Sequence, residues 1–158
     1  MKIVVYGNPA PQGSKKFMGI HSGRAVLTES SKKVRPWRQD VKAAAEAVIA
    51  RLDSEFPWAP LDGPLMLTVA FTMPAPKSLP KRRPSQPAKT PDLSKLIRST
   101  EDALTSAGVW RDDALVVEVR AVKTYPIGTL GARPDALRSP GAVIEVFQYP
   151  DGGGSIEI

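Results

Sequence analysis

The chain has 158 residues, and 22 Lys and Arg against 16 Asp and Glu give it a formal charge of +6 and a pI of about 9.7, a balance that favours a polyanionic partner. It holds no cysteine and one histidine, His21, which excludes disulfides, thiolate zinc sites, a thiol nucleophile and a histidine metal cluster within one chain. A metal, if bound, must therefore be held by oxygen. The length suits one domain with a real core, no apolar run approaches bilayer length, and no signal peptide precedes the first strand-like run, so a soluble cytoplasmic protein is expected.

In chain order, residues 2–6 (Lys-Ile-Val-Val-Tyr) read as a buried strand, closed by Gly7-Asn8-Pro9. Pro9 to Lys16 reads as a loop ending in two cations, Lys15 and Lys16, which either contact phosphates or are simply solvated. Arg24 to Thr28 reads as a short strand, with His21 in the turn before it. Val34, Trp37, Val41, Ala44, Ala45, Val48, Ile49 and Leu52 follow a helical stripe, with Pro36 in the first turn. That helix is expected to pack on a sheet, and Trp37 to lie in the core or at a dimer interface. Lys32, Lys33, Arg35 and Arg38 at its start either face a polyanion or are solvated.

Leu65 to Met73 reads as a central strand ending at Pro74. From Pro74 to Pro91 the chain carries six prolines, five cations (Lys77, Lys81, Arg82, Arg83, Lys89) and no acid. Proline at that density removes backbone donors and favours extended geometry, so residues 74–91 are expected to form a long, mobile basic loop. It delivers positive charge just before the next helix. There Leu93, Leu96, Ile97, Ala103, Leu104 and Ala107 form one helical stripe, with Pro91 suited to the first turn and Gly108 to the residue past the last. Ala114 to Lys123 and Ala142 to Phe147 read as strands, and residues 151–158 as a flexible tail. The order predicts an α+β (mixed α/β) single domain over residues 1–150, one mixed sheet carrying two main helices.

The acids in the second helix region are the chemical signal. Asp92 stands at the helix entrance, Glu101 and Asp102 follow, and Asp112-Asp113 lie in the turn that leaves it. Asp113 nears Asp92 only if the returning strand runs back alongside the entrance. Each acid also has a plainer reading: Asp92 as a helix cap, Arg98 with Glu101 or Asp102 as a surface ion pair, Asp112-Asp113 as an ordinary turn. Ser94, Arg98 and Glu101 fall along one helix face.

The runs Pro91-Asp92-Leu93-Ser94-Lys95-Leu96, Asp102-Ala103-Leu104-Thr105 and Ala107-Gly108-Val109-Trp110-Arg111-Asp112-Asp113-Ala114 resemble the signature of the RusA family of Holliday junction resolvases. The resemblance implies a small Mg²⁺-dependent endonuclease of bacteria or their phages, with Mn²⁺ as a substitute ion, acting on branched DNA as a homodimer with two active sites. Paired sites suit paired cuts in a four-way junction. Carried onto this chain, the resemblance implies Asp92 and Asp113 as metal-binding catalytic acids and Arg98 as the catalytic basic residue. The family's second acid falls on Ser94, a departure from the motif. Glu101 or Asp112 is then the candidate further ligand, and a non-catalytic binder of branched or duplex DNA is the alternative function. Lys15, Lys16, Lys77, Lys81, Arg82, Arg83, Lys89 and Lys95 are the expected DNA contacts, and no membrane partner is expected.

Overall fold

Ile3 and Val5 alternate with Lys2, Val4 and Tyr6, and only the first two are buried, so the opening strand turns one face to a core and the other to solvent. The structure is a computed structural model describing residues 1–13, 15–21, 24–29 and 32–150. Its elements are β1 (Lys2–Tyr6), β2 (Lys15–His21), β3 (Arg24–Glu29), α1 (Val34–Asp53), β4 (Leu65–Thr72), α2 (Leu93–Ser106), a 3-10 turn (Asp113–Leu115), β5 (Val116–Thr124) and β6 (Gly141–Gln148). The four-stranded sheet has the order β1-β6-β4-β5, and β2 and β3 form a separate antiparallel pair. β4 runs parallel to β5 and antiparallel to β6, which pairs antiparallel with β1. The expected mixed single domain with two helices is therefore present.

Three local expectations need correction. Lys15 and Lys16 open β2 instead of ending a loop, and His21 closes that strand opposite Arg24 instead of sitting in the turn. A register shift between Phe17 and Gly19 interrupts the alternation by which a strand is recognised in sequence. Pro91 precedes the cap of α2 and lies outside its first turn. The expected tail at 151–158 lies outside the described residues.

Central strand β4 is buried along most of its length, because neighbours flank it on both sides and helices cover the face bearing Leu65, Leu67, Val69 and Phe71. Trp37 of α1 is fully buried against this layer, its ring 6.4 Å from that of Phe71, so it belongs to the core of its own chain. Its indole Nε1 donates to Thr100 Oγ1 of α2 at 3.3 Å, and Thr100 Oγ1 in turn donates to the Leu96 carbonyl at 2.9 Å. A hydroxyl in the middle of the core is thus satisfied, and α1 is registered against α2. In β5, Leu65 pairs with Val116 and Met66 with Glu118, leaving Val117 as an extra residue that bulges outward, 58% exposed. Among the described residues no helix is long and apolar enough to cross a membrane.

Candidate active site

The apolar stripe of α2 buries Leu96, Ala103 and Leu104, which leaves Ser94, Lys95 and Arg98 exposed on the outer face. Asp92 occupies the N-cap with extended backbone (φ −65°, ψ 136°), yet its side chain makes no capping hydrogen bond. Its carboxylate instead pairs with Lys95 Nζ at 3.5 Å, both side chains more than half exposed. Such a pair is worth at most about 1 kcal/mol, so it leaves the carboxylate available. The chain at 7–12 packs on this helical turn: the Gln12 N–H donates to the Lys95 carbonyl at 2.9 Å, and Ser99 Oγ donates to the Ala10 carbonyl at 2.7 Å. Between that loop, the start of α1 and the start of α2 opens a cleft of about 1010 Å³, lined by Lys33, Asp40, Lys89, Asp92 and Lys95 among others. Gly7, at φ +150°, allows the loop this close, since a Cβ there would collide with the Asp40 carboxylate.

At the far end of α2 the chain turns at Gly108, whose φ of +75° fits the role expected of it. The turn is held from several directions. Trp58 Nε1 donates to the Gly108 carbonyl at 3.1 Å, and Leu61 accepts from Arg111 N–H and donates to the Val109 carbonyl at 3.2 and 2.9 Å. The buried Trp110 donates through Nε1 to Thr105 Oγ1 at 2.7 Å. These contacts place the two aspartates that follow, and they give them different work. Asp112 caps the 3-10 turn, Oδ1 accepting from the Ala114 N–H at 2.8 Å, whereas Asp113 is exposed and its carboxylate has no cap to make.

The half-buried Glu101 has its pKa raised above the ordinary carboxylate value, first by burial, then by the negative charges of Asp113 and Asp102, with Arg98 pulling weakly the other way. Asp102 already has a partner in Arg38, 3.6 Å away. Among the described residues Arg98 forms no ion pair, so the plain Arg98–Glu101 or Arg98–Asp102 bridge is not made. The structure thus brings Asp113 into the field of Glu101, with Arg98 on the same helix face. The strand that follows does return to the helix entrance, and what it delivers there is Lys123. Lys123 Nζ donates to the carbonyls of Lys89 and Pro91 at 2.8 and 3.0 Å. Its partners lie 34 and 32 residues earlier, so no local pattern marks it in the sequence.

The cations of 74–91 are all on the surface: Lys77, Lys81, Arg82, Arg83 and Lys89 are exposed. The segment also touches the body, through Ser85 N–H to the Leu130 carbonyl at 3.1 Å, Gln86 Nε2 to the Gly131 carbonyl at 2.8 Å, and a buried Pro87. Lys15 and Lys16 stand opposite Glu29 and Thr28 in the β2–β3 pair.

Among the described residues no group of three or more Asp, Glu or His side chains is gathered closely enough to hold a metal. A neighbouring pair of carboxylates with neither oxygen set tied into an ion pair is nevertheless a donor set that suits Mg²⁺, which takes one or two carboxylates and completes its shell with water and phosphate oxygens. Glu101 and Asp113, near enough for one charge to raise the other's pKa and without an ion pair among the described residues, are the candidates for it. In comparison with known proteins, the family model described as Endodeoxyribonuclease RusA matches residues 7–129. That span contains the cleft-lining loop, both helices, the basic segment and every acid discussed above. No curated protein matches the chain.

Proposed function

The chain belongs to the RusA endodeoxyribonuclease family, and from that premise we propose that it resolves four-way DNA junctions by paired, Mg²⁺-dependent phosphodiester hydrolysis as a homodimer. The observation that carries the reading is the match to the RusA family over residues 7–129, supported by an Asp113 near enough to raise the pKa of the half-buried Glu101, on a turn held by Trp58, Leu61 and Trp110. Asp92 and Asp113 are the metal-holding carboxylates. Glu101 adds a carboxylate on the Asp113 side in place of the acid that Ser94 lacks, about 13 Å of helix beyond Asp92, while Asp112 is occupied in capping. A bound Mg²⁺ supplies Lewis-acid polarisation of the phosphate and an activated water; Mn²⁺ substitutes for it.

The chain's own residues do the rest. Arg98, exposed and without an ion pair among the described residues, stabilises negative charge building on the phosphate oxygens. Lys77, Lys81, Arg82, Arg83 and Lys89, together with Lys95 and the lysines opening β2, hold the backbone against the repulsion of the site's acids. Their neutralised phosphates make binding strongly salt dependent. The basic segment is mobile ahead of Ser85 in the free protein and orders against DNA, while its end is held to the body through Ser85, Gln86 and Lys123. Recognition comes from junction shape and backbone contacts.

Purified protein incubated with an end-labelled four-way junction and Mg²⁺ is expected to nick two strands symmetrically near the crossover. Junction that is shifted on a native gel but stays intact with Mg²⁺ and Mn²⁺ would make the protein a non-catalytic binder.

A further inference from the structure

Asp92 is a carboxylate whose direction its own helix does not set. It stands at the N-cap without capping, and its one side-chain partner, Lys95, is an exposed ion pair. The backbone leading into it has little internal support either. Pro84, Pro87 and Pro91 lack an N–H, and the one backbone bond inside the stretch runs from Ala88 N–H to the Gln86 carbonyl at 2.8 Å. What holds this stretch comes from outside it. Lys123 lies near the end of β5, paired with the buried Phe71 of β4, and is itself only partly exposed. Its ammonium accounts for two of its three protons by bonding the carbonyls of Lys89 and Pro91, on either side of Thr90 and immediately before Asp92. A rigid parallel strand is thereby joined to the end of the basic segment and to the entrance of α2 by one side chain.

We propose that Lys123 is a positioning residue: its ammonium clamps the Lys89 and Pro91 carbonyls and so sets the Asp92 carboxylate at the site. The proposal rests on the nuclease reading for its consequence, although the clamp itself does not. A residue of this kind acts through the group it orients, and removing such supporting contacts at a metal site costs about 10- to 100-fold in metal affinity or activity.

The test uses the full chain with Lys123→Met, which keeps the stem and removes the ammonium, and Lys123→Arg, which keeps donors for both carbonyls. Three readouts are taken: the Mg²⁺ concentration for half-maximal junction cutting, junction affinity in EDTA by gel shift, and the rate of tryptic cleavage after Lys89 without DNA. The expected result for Lys123→Met is about a tenfold higher Mg²⁺ requirement, junction affinity within about twofold of the parent and clearly faster cleavage after Lys89. Lys123→Arg is expected to restore the Mg²⁺ requirement to within about threefold. Weakened junction affinity with an unchanged Mg²⁺ requirement would make Lys123 a phosphate contact and overturn the proposal. Unchanged tryptic cleavage after Lys89 would overturn it too. If the parent chain cuts no junction, the nuclease reading falls, and the tryptic rate alone still decides whether the clamp exists.

Discussion

The two ends of α2 carry the same functional group in opposite circumstances. At the entrance, Asp92 is exposed, paired with Lys95 and reached through a lysine-clamped, proline-rich approach. At the exit, Glu101 is half-buried and sits in the field of Asp113 and Asp102, on the side of the molecule fixed by Trp58 and Trp110. The entrance acid is exposed and adjustable, while the exit pair stands by a braced turn at an electrostatic cost. Unrelieved negative charge that the fold tolerates at a braced position is what a cation site needs before its cation arrives.

That contrast is open to attack in several ways. The sharpest is to neutralise the two adjacent aspartates separately. Asp113→Asn is expected to lower junction cutting by about 100- to 1,000-fold with junction binding kept, whereas Asp112→Ala, which removes a cap, is expected to cost stability of about 1 kcal/mol and only a few-fold in rate. Equal losses in single-turnover assays would erase the distinction between them. Restoring the absent acid comes next. Ser94→Asp is expected to reduce the Mg²⁺ needed for half-maximal cutting by about tenfold, and an unchanged Mg²⁺ titration would show that Glu101 fully replaces it.

A smaller effect belongs to the basic segment. Removing Lys81, Arg82 and Arg83 together is expected to reduce the slope of log affinity against log salt by about 1 per lost phosphate contact, uniformly across junction sequences. A slope equal to the parent's would leave those cations as solvated charge. The smallest effect concerns the exit alone. Because the folded chain holds the Glu101 proton to higher pH than an unfolded chain does, it binds more protons in that window, and the stability this proton contributes is lost as pH rises from about 4.5 through the raised value. Glu101→Gln in EDTA is therefore expected to melt slightly higher than the parent at neutral pH, with the gain vanishing near pH 4. A destabilised Gln variant at neutral pH would mean that the carboxylate is held by contacts that favour its charge.

Much of this arrangement was readable from residue spacing. The stripe on α2, the turn at Gly108 and the packing role of α1 are local patterns repeated over several turns, and they are present as expected. The acids stood out because carboxylates at a helix end and in the following turn are a short-range feature. Three things were not readable. β2 is not marked in the sequence, where the loop reading ends at Lys16, because its register shift breaks the alternation. The unequal duties of Asp112 and Asp113 depend on which carboxylate turns back to the Ala114 N–H, a choice made by backbone angles and not by composition. Lys123 has a role only because β5 pairs in parallel with β4 and so ends beside a segment more than thirty residues earlier.

The outward kink at Val117 bears on how the protein behaves at high concentration. β5 is the last strand of its sheet, and a flat, regular outermost strand is a template on which a second molecule can extend the ladder. Here an extra residue twists that rim, and the charged pair Glu118 and Arg120, bonded at 2.7 Å, follows immediately. Deleting Val117 would straighten the rim, and with it would go the chain's main safeguard on that side against open-ended self-association into fibres.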